Sequence, residues 1–150
     1  MGIMPLRIYI RGAAAAEIQG RSSKTAAYIL YYHYVFRTKY NTPAVTAEIA
    51  GRLLDILDHV CEERGYVLFA AAIMPDHVHL VLSLTPTIAP ADAMRYIKGR
   101  LAHDLHKEMG EGGGSMWGDG YYVEAVGKKN VHQVLHYVTR QDEHHDDTPA

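Results

Sequence analysis

Apolar residues change their spacing several times along the chain, and each change marks an element. In YILYYHYVFR, residues 28–37, aromatic and β-branched side chains crowd together as they do in a strand. From residue 46 the period lengthens. Ile49, Leu53, Ile56, Leu57 and Val60 recur at helical spacing, with Thr46 able to cap the start and Gly65 able to end the helix. YVLFAAAIM and HVHLVLSL then predict two strands joined by a turn at Pro75 and Asp76. In the next helix Met94, Ile97, Leu101 and Leu105 form the apolar stripe, and Pro90 suits the first turn. EGGGSMWGDG reads as a flexible glycine-rich connection. YYVEAV is a fourth strand. Gly127 breaks the chain, and Asn130 can cap a last helix whose core face is Val131, Val134, Leu135 and Val138.

The predicted order is β-α-β-β-α-β-α. Its first six elements are the split βαβ pattern, so the fold class is α+β: a ferredoxin-like, RRM-like antiparallel sheet with two helices on one face. The other face is left for a ligand or for the last helix. Residues 1–27 show no clear period and read as an arm, flexible or paired with a partner. The domain proper spans residues 28–143, and residues 144–150 are a tail.

Bulk composition changes this picture little. A chain of 150 residues fits one domain with a real core. Fifteen basic against seventeen acidic residues give a net charge of -2, so any nucleic-acid site must be a local patch. The single cysteine, Cys61, excludes an intrachain disulfide and fits a cytoplasmic location. No apolar run is long enough for a membrane span, and Arg7 and Arg11 argue against a secretory signal.

Candidate chemistry centres on IMPDHVHLVL. In a strand, residues i and i+2 share a face about 7 Å apart, so His77 and His79 project side by side while Val78 and Leu80 face the helices. Two such imidazoles can hold a divalent metal ion. Alone the pair is a weak signal, because it lacks a third ligand. The last helix offers one. Tyr137 and Gln141 lie one turn apart on a single face, which Gln133 extends. A glutamine carbonyl can complete a metal site, and a tyrosine beside it can act as a nucleophile.

With these segments in their order, the chain resembles the single-tyrosine HUH transposases of insertion sequences that move as single-stranded DNA. YHYVFRTKY resembles the family's first strand and its Lys-Tyr exit, and MPDHVHLVL its His-hydrophobic-His strand. YIKGRLAHDL resembles its Lys-Gly helix, MWGDGYYVEAVG its approach to the last strand, and YVTRQ its catalytic helix. The resemblance implies that His77, His79 and Gln141 are the metal ligands and that Tyr137 is the catalytic residue. It implies magnesium or manganese as the ion; imidazole ligands by themselves favour manganese or a later transition metal. It further implies single-stranded DNA, in the form of hairpin ends of an insertion sequence, as substrate, and a homodimer as the working form. The hinge at Gly127 separates the last strand from the catalytic helix, so the expected active site is composite, with Tyr137 of one subunit facing His77 and His79 of the other.

Three cationic patches are candidate DNA contacts. They are Arg37 with Lys39; Arg95, Lys98 and Arg100; and Lys128 with Lys129 before the last helix, where cations oppose the helix dipole. Two other readings compete. One is a non-catalytic RNA- or single-strand-binding module that stacks bases on Tyr32, Tyr34, Tyr121 and Tyr122. The other is a metal-dependent nuclease that activates water, with Asp76 as its base.

Overall fold

The structure, a computed structural model, describes residues 5–11, 21–111, 113–114 and 116–139. A five-stranded antiparallel sheet forms its middle layer. The strands are β1 (Arg7–Ile10), β4 (Tyr31–Arg37), β5 (Val67–Ile73), β6 (His77–Ser83) and β7 (Tyr122–Val126), in the order β1-β5-β6-β4-β7. A two-stranded hairpin, β2 (Arg21–Ser22) with β3 (Ala27–Tyr28), stands beside it. The helices are α1 (Ala47–Arg64), α2 (Pro90–Met109) and α3 (Val131–Thr139). Reading β7-β4-β6-β5 with α1 and α2 as crossovers gives the expected ferredoxin-like arrangement.

The helix boundaries follow local chemistry. Thr46 Oγ1 accepts a hydrogen bond from the Ile49 amide at 3.3 Å, and Gly65 ends α1 with φ 74°. Pro90 sits in the first turn of α2, and Gly110 ends it, also at φ 74°. Both helices lie on one face of the sheet. Alternation along the strands sends Tyr34 and Phe36, then Val78, Leu80 and Leu82, into that layer, against Leu53, Leu57, Met94 and Ile97. The Arg52–Glu108 ion pair ties α1 to α2. Cys61 is buried in this core, and burial pushes its thiol up to about 12.

A smaller apolar cluster covers the opposite face. There Val131, Leu135 and Val138 of α3 pack on Tyr31, Phe69, Ala70, Ala72, Val81 and Val126. The small alanines of β5 let the helix approach closely.

Three features differ from the sequence reading. The arm supplies β1, which pairs residue for residue with β5 from Arg7↔Ile73 to Ile10↔Ala70. The first strand is interrupted: Tyr28 belongs to the hairpin, and β4 begins only at Tyr31. The end of the glycine-rich connection is anchored. Trp117 forms a bridge to Thr38 and packs edge-on against Phe36 at 4.8 Å, while Lys98 Nζ donates to the carbonyls of Gly118 and Gly120 at 2.8 and 2.9 Å.

Candidate active site

The α3 side of the sheet carries the polar positions of three strands. On β6 these are His77 and His79; on β4, His33 and Arg37; on β7, Tyr122 and Glu124. Register explains why they meet. Arg37 lies opposite His77, and His33 lies opposite Glu124. Directly opposed residues of an antiparallel pair share a face, and diagonal neighbours remain within reach of long side chains. His33 and His79 are such diagonal neighbours. Their rings stack at 5.4 Å with 13° between planes.

Hydrogen bonds join these groups. His33 Nδ1 lies 3.2 Å from Glu124 Oε1, and His33 Nε2 lies 3.1 Å from His79 Nδ1. Tyr122 donates its hydroxyl to the other Glu124 oxygen at 3.0 Å. His77 Nδ1 is 2.6 Å from Asp76 Oδ1. Burial lowers the pKa of all three imidazoles. For His33 and His77 the neighbouring carboxylate works against burial, and for His77 the Arg37 charge adds to it. Among the described residues His79 has no carboxylate partner. Burial, helped by His77, His33 and Arg37, pushes it down to about 2. The three rings are therefore neutral at physiological pH.

Neutral imidazoles are what a metal ion requires. Each of His77 and His79 engages Nδ1 and leaves Nε2 without a hydrogen-bond partner among the described residues. The pair fits a divalent ion. Among the described residues no three His, Cys, Asp or Glu side chains gather to hold one. Gln141, the expected third ligand, lies outside the described residues.

Tyr137 comes to the same place. Its ring meets His79 at 6.1 Å and His33 at 6.3 Å, edge-on in both cases. In the single chain, α3 thus brings the tyrosine to its own histidines, a cis arrangement. Gln133 is exposed.

The cationic patches separate. Arg37 shares the histidine face and is close enough to lower both imidazole pKa values. Lys39 reaches over the ring of Tyr40, which is almost fully exposed. Lys128 and Lys129 are exposed in the turn before α3. The α2 patch is held by protein: Arg100 by Asp104, Glu63 and Tyr96, Arg95 by Asp92, and Lys98 by the glycine-rich segment. It belongs to the helix that packs on the far side of the sheet.

Among the tyrosines suggested for base stacking, Tyr34 is fully buried and donates to the Pro90 carbonyl at 2.8 Å, so it offers no stacking face. Tyr32 packs in the same layer, and only Tyr121 and Tyr122 are exposed. Asp76 is engaged with His77 rather than standing free as a base. The sequence reading missed His33 and Glu124. A signal for the first existed: in YHYVFR the large rings occupy alternate positions, which leaves His33, Val35 and Arg37 on the opposite face. Glu124 had none, because its contact depends on a pairing across 91 residues.

A ferredoxin-like sheet with a histidine pair on one face and a tyrosine laid over it by a terminal helix defines a class of α+β catalytic domain. Residues 26–141 match the family described as Transposase IS200 like. The chain is 30% identical over 129 residues to the ISDra2 transposase TnpA of Deinococcus radiodurans, covering 83% of this chain and 92% of that protein. It is 31% identical over 115 residues to the transposase for insertion sequence element IS200 of Salmonella typhimurium, covering 73% and 75%. Among solved structures, a putative transposase from Deinococcus radiodurans superposes with a TM-score of 0.66 at 30% identity, covering 81% of this chain and 97% of that one. A REP-associated tyrosine transposase bound to a REP hairpin shares the fold, with a TM-score of 0.61 at 17% identity, covering 83% and 74%. The chain belongs to the IS200-like transposase family and is by class a DNA-processing enzyme. Among the described residues, no helix is long and apolar enough to cross a membrane.

Proposed function

We propose that the protein cuts and rejoins single-stranded DNA at the ends of an insertion sequence, with Tyr137 as the nucleophile. The observation that carries this is the packing of the Tyr137 ring against His79 and His33, beside two imidazoles whose Nε2 atoms make no hydrogen bond among the described residues. The phenol oxygen attacks the scissile phosphorus. The bond to the 3′ oxygen breaks, that oxygen takes up the proton the phenol gives up and leaves as a hydroxyl, and the 5′ side stays on Tyr137 as a phosphotyrosine. A second 3′-hydroxyl reverses the step, so rejoining needs no nucleotide cofactor.

A phenol with an ordinary pKa near 10 is a weak nucleophile at neutral pH. His77, His79 and Gln141 would hold a divalent metal ion, which when bound would supply Lewis-acid polarisation of the phosphate. Arg37, on the same face, is placed to meet the DNA backbone, and Lys128 and Lys129 flank the entry to α3. A hairpin substrate is supported by the REP hairpin in the related structure of the same fold. The edge strands β1 and β7 support a homodimer. In a dimer the Gly127 hinge would let α3 dock on either subunit. A cytoplasmic location follows from action on cellular DNA.

The test uses single-stranded oligonucleotides containing a hairpin, with Mn2+ or Mg2+. Mass spectrometry is expected to find a covalent adduct on the peptide carrying Tyr137. Chelation and the double His77→Ala, His79→Ala variant are expected to abolish it. An adduct on another tyrosine, or undiminished cleavage by that double variant, would overturn the proposal.

A further inference from the structure

Four side chains on the α3 face form an ordered series: Tyr122, Glu124, His33 and His79. Its distances are 3.0 Å from Tyr122 Oη to Glu124 Oε2, 3.2 Å from Glu124 Oε1 to His33 Nδ1, and 3.1 Å from His33 Nε2 to His79 Nδ1. His33 and His79 are buried, while Glu124 and Tyr122 at the other end of the series meet water.

The direction of the series follows from what each group can donate. A carboxylate accepts only, so Tyr122 O–H and His33 Nδ1–H must both donate to Glu124. A neutral imidazole carries one proton, so His33 Nε2 is then a bare acceptor. The contact at 3.1 Å requires a proton between the two rings, and only His79 Nδ1–H can supply it. The single proton of His79 is thereby committed to Nδ1, and its Nε2 keeps a lone pair. Free imidazole side chains favour the opposite tautomer, with the proton on Nε2. On the other member of the pair, Asp76 accepts from His77 Nδ1–H at 2.6 Å and has the same effect.

We infer that Glu124 and His33 are positioning residues: through a directed pair of hydrogen bonds they hold His79 in the tautomer and ring orientation that present Nε2 for metal binding. Two histidines adjacent on one strand thus reach the same state by different routes. His77 is set directly by its sequence neighbour. His79, two residues deeper in the sheet, has no carboxylate beside it among the described residues and is set through an intervening imidazole from the neighbouring strand β4. The side chain that fixes His79 therefore lies two strands away, on β7. This inference rests on the reading of His77 and His79 as metal ligands.

It is tested on the full chain without metal, labelled with 15N at histidine, by long-range proton–nitrogen correlation spectra, with His79 assigned by difference from His79→Gln. His79 is expected to show a protonated Nδ1 and an unprotonated Nε2. In His33→Phe, which keeps a ring but removes the acceptor, His79 is expected to populate both tautomers. Mn2+ affinity measured by calorimetry is expected to fall about 10- to 100-fold, the usual effect of losing a partner that orients a ligand. Glu124→Gln changes a half-exposed side chain and should leave the fold intact. Its amide can donate as well as accept, so the series can reverse, and an intermediate loss is expected. A His79 tautomer unchanged in both variants overturns the inference, as does a changed tautomer with undiminished Mn2+ affinity. Failure of the metal reading would look different: the double His77→Ala, His79→Ala variant would bind Mn2+ as tightly as the parent, whatever tautomer His79 adopts.

Discussion

The two faces of the sheet are built from alternate residues of the same strands, yet they do different work. Toward α1 and α2, β6 presents Val78, Leu80 and Leu82 to an ordinary apolar core. Toward α3 it presents His77, His79, Val81 and Ser83, and α3 itself contributes only a small apolar cluster. The first face holds the fold together. The second face holds neutral polar groups in place, at the desolvation cost that burial of polar side chains carries. Because the strand period is two, stability and chemistry are separable by single substitutions one residue apart.

Tyr137→Phe is the sharpest way to test that separation. If Tyr137 is the nucleophile proposed above, the adduct-forming rate should fall about 1000-fold or more, because the attacking oxygen is gone, while the protein stays folded. Leu80→Ala makes the opposite change on the opposite face. Leu80 is fully buried among the helices. Its truncation should cost about 3 kcal/mol in denaturant titrations, with activity per folded molecule retained. If Leu80→Ala destroyed activity without loss of stability, the division between the faces would be wrong.

Between pH 6.5 and 4.5, acid should act chiefly through the histidine face. The pKa values of His33, His77 and His79 are lower in the fold than their ordinary value of 6.5. Below pH 6.5 the unfolded chain binds protons that the folded chain refuses, so stability falls as pH falls; above 6.5 it is unaffected by these groups. Each histidine that stays neutral contributes a slope of about 1.4 kcal/mol per pH unit. Metal-free protein should therefore melt at progressively lower temperature from pH 6.5 to 4.5, and His79→Gln should flatten that slope. The smallest effect is expected from Tyr34→Phe, the chemical twin of Tyr137→Phe on the helix side. It removes the donor to the Pro90 carbonyl and should cost about 1 kcal/mol in stability, with no change in adduct formation.

Much of this division was legible from residue order. The helical spacing of Ile49 through Val60, the cap at Thr46 and the glycine at 65 fixed α1 without any tertiary information. The His-x-His alternation placed both imidazoles opposite Val78 and Leu80. What was not legible depended on pairing at a distance. β1 is four residues long and carries no period of its own; it becomes a strand because β5 offers an open edge. Glu124 reads as a surface residue of an edge strand until the register sets it opposite His33. Lys98 and Arg100 read as free cations, and only the packing of α2 shows their donors already engaged. Local signals reported which face a residue takes. They did not report which residue it would face.

The buried Cys61 has a practical consequence. A thiol reacts as its thiolate, and one held near a pKa of 12 inside the core offers almost none at neutral pH. It is the only cysteine in the chain. A cysteine introduced at an exposed position, such as Lys129→Cys before α3, would then be the sole site open to maleimide probes. A second exposed cysteine introduced on the sheet would then take the partner dye or spin label, and the pair would measure where α3 sits in solution with the native cysteine left in place.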